Sequence, residues 1–274
     1  MIRLMLLSLC LLVSTSVSAE TRFSVGPGGG FTQGGLVIGQ TDSGAKVTLD
    51  GRDVQVSPEG VFVFGFTRDF GPSVTLSVTA PDGTVDTRTV EIKPREFDIQ
   101  RIDGLPQNMV TPPEDLLARI RRDSAEVAAA RAHETPEAMF LTGWLWPAKG
   151  RVSGVYGSQR ILNGEPRQPH YGIDIAAPTG SPVVAPADGI VRMAVTDHYY
   201  TGGTIILDHG YGLSSAFLHM NSVDVKVGDR LRRGDPMGTI GATGRATGPH
   251  LDWRMNWFDQ RIDPGLLMTG SPEG

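Results

Sequence analysis

Short runs in which apolar and polar residues alternate recur along most of this 274-residue chain. Successive side chains of a strand point to opposite faces, so a two-residue period predicts strands with one buried face. Val74, Leu76 and Val78 show the pattern clearly. The 35 glycines and 19 prolines supply the tight turns that many short strands need. We therefore expect a mainly β protein.

The N-terminal region, residues 20–98, is predicted to form a small β-sandwich. Its alternating runs are separated by Asp50-Gly51 and Asp82-Gly83, which are hairpin-type turn sequences. Several short strands at this spacing are typical of a sandwich. The stretch TDSGAKVTLDGRDVQVSPEGVFVF resembles bacterial immunoglobulin-like modules found beside extracellular enzymes. That resemblance implies an immunoglobulin-like module.

Residues 99–143 are predicted to be a linker that contains one helix at about residues 113–133. Glu114 and Asp115 fall in its first turn, where the helix dipole favours anions. Apolar residues recur with helical spacing at Leu116, Leu117, Ile120 and Val127. We expect an interdomain helix that packs on one or both domains, and we see no chemistry in it.

The first 19 residues have the pattern of an export signal. Arg3 precedes an apolar run of ten residues, and Val17 and Ala19 are the small residues that a cleavage site requires. The run is shorter than the ~20 apolar residues that span a bilayer. We therefore expect an exported protein of the periplasm or cell envelope, with no stable membrane anchor after cleavage.

Charge and cysteine content narrow the possible functions. The formal net charge is −5 and no block of lysine and arginine occurs, which argues against a nucleic-acid partner. The single cysteine, Cys10, lies in the predicted signal. The mature chain would have no disulfide or thiol chemistry, so a metal site would have to use histidines and carboxylates.

The region from residue 144 to residue 274 is predicted to be an antiparallel β domain with a candidate metal site. In the extended segment His170-Tyr171-Gly172-Ile173-Asp174, positions i, i+2 and i+4 share a face. His170 and Asp174 therefore point the same way, and Gly172 between them leaves room. Imidazole nitrogen and carboxylate oxygen are both good zinc ligands.

Two further segments carry candidate site residues. In Gly-Pro-His-Leu-Asp-Trp-Arg, the same parity places His250, Asp252 and Arg254 on one face. His219 ends an apolar strand that starts near Leu213, which is a suitable place to line the mouth of a site. Arg254 and Tyr156 are weaker candidates for contact with a substrate or an oxyanion.

The three segments HYGIDIAAP, FLHM and GPHLD, in this order, resemble the lysostaphin-type (LytM-like) zinc endopeptidases of bacterial cell walls. The flanking phrases WPAKGRVSGVYGSQR, GSPVVAPADGIV and IILDHGYGL agree, and the likeness covers about residues 144–264. It implies the lysostaphin-type (duplicated hybrid motif) fold and a metalloendopeptidase that hydrolyses peptidoglycan cross-links or stem peptides.

The resemblance also implies roles for individual residues. His170 and Asp174 correspond to zinc ligands, and His219 and His250 correspond to the catalytic histidines. The family's third ligand is a histidine, but this chain has Asp252 there. A carboxylate can still ligate one Zn²⁺ per chain, yet it adds negative charge and suits other divalent metals as well. The alternative for Asp252 is an ion pair with Arg254 or an imidazole and no metal.

Two functions stay open at this point. One is the peptidoglycan endopeptidase, and the other is a non-catalytic peptidoglycan-binding or amidase-activating protein on the same fold. No protein partner is indicated by the sequence.

His209 is expected to be structural because it lies in a turn-rich segment, and His198 is expected in a loop. The four tryptophans are expected to pack in the core.

Overall fold

The computed structural model describes residues 22–25, 29–105 and 107–273, so the predicted signal lies outside the described residues. The first seven strands are β1 (Arg22–Val25), β2 (Leu36–Gln40), β3 (Lys46–Leu49), β4 (Arg52–Val54), β5 (Val61–Gly65), β6 (Ser73–Thr79) and β7 (Val85–Glu91). They form an antiparallel three-stranded sheet of order β1-β2-β5 and an antiparallel four-stranded sheet of order β4-β3-β6-β7.

The alternating pattern explains this N-terminal unit. Val74, Leu76 and Val78 are buried along β6, while the residues between them are more exposed. Phe62 and Phe64 fill the centre and are fully buried. The predicted turns join β3 to β4 and β6 to β7. The two-sheet arrangement fits a small sandwich, and its immunoglobulin-like class stays a prediction.

The middle of the chain contains β8 (Ile99–Ile102), helix α1 (Gln107–Val110), helix α2 (Glu114–Arg131) and a 3₁₀ helix (Met139–Thr142). The predicted helix is confirmed as α2, which packs on the C-terminal sheet. The predicted linker holds more structure than the sequence suggested, because β8 is a strand paired with the C-terminal domain. Among the described residues, no helix combines the length and apolar composition needed to cross a membrane.

The C-terminal strands are β9 (Arg151–Gly154), β10 (Gln159–Leu162), β11 (Glu165–Pro166), β12 (Gly172–Ala176), β13 (Pro182–Val184), β14 (Gly189–His198), β15 (Gly202–Gly210), β16 (Leu213–Val223), β17 (Arg230–Leu231), β18 (Pro236–Ile240), β19 (His250–Trp257) and β20 (Gln260–Ile262), followed by a 3₁₀ helix (Pro264–Leu267). Ten of them form one antiparallel sheet whose main path is β17-β14-β15-β16-β19-β12-β9. The antiparallel β domain is thus confirmed, and β8 adds one parallel pair with β10.

The sandwich docks directly on the C-terminal domain. Arg95 forms a 2.9 Å ion pair with the buried carboxylate of Asp263. The Nε group of Arg68 donates to the carbonyl oxygen of Gly157 at 2.6 Å. The guanidinium of Arg52 lies 5.0 Å from the ring centre of Trp257, within range of a cation–π contact. These contacts join the sandwich to the end of β19, to the segment after β20 and to the loop between β9 and β10.

Candidate active site

Three predicted ligands lie together where β12 pairs with β19. Asp174 and Asp252 are directly opposite each other in this antiparallel pair, and His170 lies just before β12. The Nε2 atom of His170 is 3.0 Å from Oδ1 of Asp174 and 3.4 Å from Oδ1 of Asp252. All three side chains are buried, and one ligand atom from each lies within 4.8 Å of the others.

The atoms that face each other in this cluster suit a metal better than a hydrogen bond. His170 Nε2 and Asp174 Oδ1 are buried and have no hydrogen-bond partner among the described residues. Buried polar atoms without partners are rare and call for an explanation. Zinc ligands at about 2.0–2.2 Å from a tetrahedral metal lie roughly 3.3–3.6 Å from each other. The observed separations are close to that spacing, so the donor set fits a small divalent cation.

Two glycines give the carboxylates their space. A Cβ atom on Gly172 would collide with Oδ1 of Asp252, and one on Gly154 would collide with Oδ2 of Asp174. Gly172 thus leaves room for a ligand, as the sequence predicts, but the ligand beside it comes from the neighbouring strand. Side chains at both glycines would displace the two carboxylates.

Two arginines bind the ligand carboxylates from outside the cluster. Arg254 donates from Nε to Oδ1 of Asp252 at 3.0 Å and from Nη2 to Oδ2 at 2.6 Å. Arg160, on β10, donates from Nη2 to Oδ2 of Asp174 at 2.8 Å. Arg254 was a weaker candidate for contact with a substrate or an oxyanion, and its ion pair with Asp252 was named as the alternative for that carboxylate. The structure contains this ion pair. Arg160 was not predicted, because no local pattern links it to Asp174.

These ion pairs change the charge balance that the ligand types alone suggest. Two carboxylates and one imidazole carry a summed charge of −2, which would offset a divalent metal. Arg160 and Arg254 supply two compensating positive charges beside the same carboxylates. Burial alone would raise the pKa of Asp252, but Arg254 and His170 hold that pKa well below its usual range. Asp252 is therefore an ionised, charge-compensated donor.

His219 and His250 lie beside the cluster as a pair. Their ring centres are 4.7 Å apart, and Nε2 of His250 is 3.8 Å from Oδ1 of Asp174. The Nδ1 atom of His219 lies 2.8 Å from the carbonyl oxygen of Thr243, and that of His250 lies 2.8 Å from the carbonyl oxygen of Gly248. A carbonyl only accepts, so each Nδ1 carries the hydrogen and each neutral ring keeps an Nε2 lone pair.

His219 is held in an unusual backbone conformation. Its φ is 65°, in the left-handed region that residues other than glycine rarely adopt. Such residues cluster at functional sites, where the surrounding structure fixes a side chain at some cost. Burial, helped by His250, lowers the pKa of His219 to about 4 against the opposing effect of Asp252. The ring is therefore neutral at pH 7.

The remaining candidates have structural surroundings. His209 is fully buried, with Nδ1 2.7 Å from the carbonyl oxygen of Asp188 and Nε2 2.8 Å from the Ser215 hydroxyl. The loop position expected for His198 is wrong, because this residue ends β14 and is buried. It lies 3.0 Å from a carboxylate oxygen of Glu126 on α2. Tyr156 is buried and donates its hydroxyl to the carbonyl of Arg261, so it does not face the cluster.

The tryptophans show the packing roles expected of them. Trp146 and Trp253 meet edge to face at 6.0 Å, and Trp144 meets the ring of His209 in the same way. Trp253 and Trp257 are buried in the core. These rings support the strands beneath the site and do not line it.

Comparison with known proteins gives a consistent result. The sequence profile of Peptidase family M23 matches residues 168–264, which include all five candidate residues. The chain is 37% identical over 109 residues to the peptidoglycan DD-endopeptidase ShyA of Vibrio cholerae, covering 39% of this chain and 25% of ShyA. It is 35% identical over 104 residues to the DD-carboxypeptidase/endopeptidase Mpg of Neisseria meningitidis, covering 38% of this chain and 24% of Mpg. The matched part thus spans about a quarter of the length of these relatives.

A solved structure extends the likeness beyond that region. A crystal structure of a Pseudomonas aeruginosa protein assigned to peptidase M23 shares 30% sequence identity with a TM-score of 0.65. The alignment covers 86% of this chain and 94% of that one, so it includes both the sandwich and the C-terminal domain. With the match over residues 168–264, this similarity shows that the chain belongs to peptidase family M23.

Proposed function

We propose that the C-terminal domain is a metal-dependent endopeptidase that hydrolyses peptide bonds in peptidoglycan cross-links or stem peptides. One observation carries the proposal. Two buried ligand atoms, Nε2 of His170 and Oδ1 of Asp174, face each other without a hydrogen bond, beside two imidazoles with free Nε2 atoms. Metal-assisted hydrolysis requires a group of metal-ligating side chains next to proton acceptors, and this site has both.

In this proposal His170, Asp174 and Asp252 would hold one Zn²⁺ ion. Three protein ligands and an open fourth position are typical of catalytic zinc sites. A bound divalent metal supplies Lewis-acid chemistry, which polarises a carbonyl and makes water more acidic. The oxygen-rich donor set would also admit harder divalent ions than zinc.

The two histidines would handle the protons. One of His219 and His250 accepts a proton from the attacking water at its Nε2 atom. That histidine would return the same proton to the leaving amine. The other histidine would take a proton from solvent on Nε2 and stabilise the developing oxyanion with it. The 4.7 Å between their ring centres lets both reach one bound peptide group.

Peptidoglycan is the substrate class that the relatives support. ShyA is named as a peptidoglycan DD-endopeptidase, and Mpg as a DD-carboxypeptidase/endopeptidase. The predicted export signal at residues 1–19 would bring the protein to the periplasm or cell envelope, where this polymer lies. We therefore propose peptidoglycan as the partner of the site.

A second function is favoured by one feature of the site. Arg160 and Arg254 neutralise Asp174 and Asp252 without a metal. The same residues could therefore form a stable metal-free arrangement in a peptidoglycan-binding or amidase-activating protein. The enzyme is favoured because, among the described residues, the 3.0 Å contact between Nε2 of His170 and Oδ1 of Asp174 lacks hydrogen-bond geometry, and a metal between the two atoms would explain it.

The two functions are separated by one experiment. Purified peptidoglycan is incubated with the protein, and new peptide ends are counted while the metal content of the same sample is measured. The endopeptidase proposal predicts bound metal and new peptide ends, and loss of the new ends in His219→Ala. If the wild type had no bound metal and produced no new peptide ends, and His219→Ala behaved in the same way, the non-catalytic function would remain.

A further inference from the structure

A cavity of about 390 Å³ lies between the C-terminal half of α2 and strands β14, β15 and β16. His219 lines it, so the cavity is continuous with the candidate site. Five arginines from five different segments of the chain also line it: Arg131, Arg160, Arg245, Arg254 and Arg261. Among the described residues, Asp123 is the one carboxylate on its wall. We call this space the arginine cavity.

Part of this positive charge is already balanced. Arg160 and Arg254 pair with the two ligand carboxylates described above. Asp123 does not serve as a partner for the others, because its carboxylate accepts the backbone N–H of Tyr199 and pairs with Arg122. The arginine cavity therefore contains more positive charge than the described carboxylates around it can compensate.

Arg131 and Arg261 account for the excess. The buried Nε atom of Arg131, at the end of α2, has no hydrogen-bond partner, and Arg131 forms no ion pair within the described part of the chain. Arg261, on β20, donates to the neutral side-chain oxygen of Asn256 at 3.3 Å. Two guanidinium groups thus line the same cavity without a carboxylate partner among the residues that the structure describes.

Burial and the nearby positive charges lower the pKa values of both arginines. Burial, together with Arg261 and Arg254, lowers the pKa of Arg131 well below its usual value. Burial, together with Arg254, lowers the pKa of Arg261 to about 10. Positive charges held together out of water are unfavourable unless an anion joins them. The planar guanidinium fork matches a carboxylate, which it can bind through two parallel hydrogen bonds.

We propose that the arginine cavity is a carboxylate-binding subsite, in which Arg131 and Arg261 bind a free carboxylate of the peptide whose scissile bond lies beside His219. This inference rests on the proposed function and names the chemical group that the substrate must carry. Stem peptides carry free carboxylates, and a carboxylate held at this end of α2 would fix the peptide relative to His219. Arg131 and Arg261 would then determine specificity without taking part in proton transfer.

The test compares native peptidoglycan with peptidoglycan whose carboxylates have been converted to amides. Binding is measured by co-sedimentation with chelator present, so that cleavage plays no part. Hydrogen bonds to charged groups are worth enough to give a preference for the native polymer of roughly 10- to 100-fold. We expect Arg131→Gln and Arg261→Gln each to lose most of that preference. Arg121→Gln removes a positive charge from an exposed position of α2, and this variant should keep the preference for the native polymer.

The outcomes are distinct. Equal binding of native and amidated polymer by the wild type would overturn the subsite, and so would a preference that survives in both cavity variants. Loss of the preference in Arg121→Gln as well would assign it to the overall charge of α2 and also overturn the subsite. Because Arg131→Gln removes a buried charge that forms no ion pair with any described residue, the variant should fold at least as stably as the wild type.

The proposed function and the subsite can fail separately. Cleavage of both polymers at equal rates in the presence of metal would uphold the endopeptidase and refute the subsite. A carboxylate preference that depends on Arg131 and Arg261, without new peptide ends from either polymer, would uphold the subsite and refute the endopeptidase.

Discussion

Arg254 binds both carboxylate oxygens of Asp252, with its shortest contact, 2.6 Å, between Nη2 and Oδ2. The two residues are on one strand and share a face, so the pair is local in sequence. Asp252 stands at the position where the resemblance to lysostaphin-type enzymes implies a neutral histidine. The ion pair of Asp252 with Arg254 has no net charge, and neither does a neutral imidazole. In its net charge the pair therefore resembles an imidazole more than a lone carboxylate does.

The first prediction concerns this pair. Arg254→Gln leaves the fully buried Asp252 without its counter-charge, and breaking such a pair costs about 3 kcal/mol. We expect the free energy of unfolding of the metal-free protein to fall by that amount, and zinc to restore more stability to the variant than to the wild type. Chemical denaturation with and without zinc measures both effects.

A matched control for that experiment is Arg88→Gln. Arg88 pairs with Asp86 at 2.6 Å, but half of its side chain is exposed, so its loss should change stability by less than about 1 kcal/mol. If Arg254→Gln were as stable as the wild type in the absence of metal, Arg254 would not be compensating a buried charge.

The second prediction concerns the outer contact of Asp174. Arg160 donates to Oδ2 and so orients Oδ1 toward His170. Partners that hold a metal ligand in place typically contribute 10- to 100-fold to metal affinity. We expect Arg160→Gln to weaken zinc binding by roughly that factor in a competition assay with a chromophoric chelator. Arg151 is an exposed arginine on neighbouring β9, so Arg151→Gln should leave zinc binding unchanged. Equal affinities for the two variants would remove Arg160 from the site.

The third prediction concerns the histidine pair. His219→Ala and His250→Ala should each lower the rate of peptide-bond cleavage by about 10²- to 10⁴-fold, because each removes a proton acceptor. Neither residue belongs to the three-ligand cluster, so zinc content should remain that of the wild type. His133→Ala, at an exposed position after α2, serves as the control. Loss of zinc in either variant would assign that histidine to the metal and not to proton transfer.

The fourth prediction concerns pH. Burial lowers the pKa of His209 from 6.5 to about 4 in the folded protein. Between these values the unfolded chain binds the proton and the folded chain does not, so stability is full above about pH 6.5 and falls as the pH drops. The pKa shift of His209 contributes about 3 kcal/mol to the free energy of unfolding at neutral pH, and about 2 kcal/mol of this is lost by pH 5.

Denaturation at pH 7.5 and pH 5.0 tests this dependence. His209→Gln should be less stable at pH 7.5, because it disturbs the contacts with Asp188 and Ser215, and its stability should fall less on acidification. His133→Gln should keep the slope of the wild type, since that side chain is exposed. An unchanged slope in His209→Gln would mean that another group controls the acid sensitivity.

The sequence predicts the parts of the site that depend on the local chain. The two-residue period places His170 with Asp174 and His250 with Asp252, and both pairs share a face in the structure. The alternation of apolar residues likewise predicts most of the strands, and the spacing in α2 predicts the helix. These are properties of neighbouring residues, so a single sequence contains them.

Long-range pairing could not be predicted in this way. The register that sets Asp174 opposite Asp252 depends on how β12 and β19 pair across the sheet. Arg160 reaches Asp174 only because β10 folds beside the site. The linker strand β8 is four residues long and follows no clear pattern, and its pairing with β10 is what makes it a strand.

The metal content of the protein shows whether His170, Asp174 and Asp252 hold a metal ion. Zinc that remains bound after dialysis against a weak chelator is measured by elemental analysis for the wild type, His170→Ala, Asp252→Asn and the exposed control Asp259→Asn. We predict one zinc ion per chain in the wild type and in Asp259→Asn, and loss of most of the zinc from the two ligand variants. A wild type without bound metal, or Asp252→Asn with the metal content of the wild type, would contradict the proposed site.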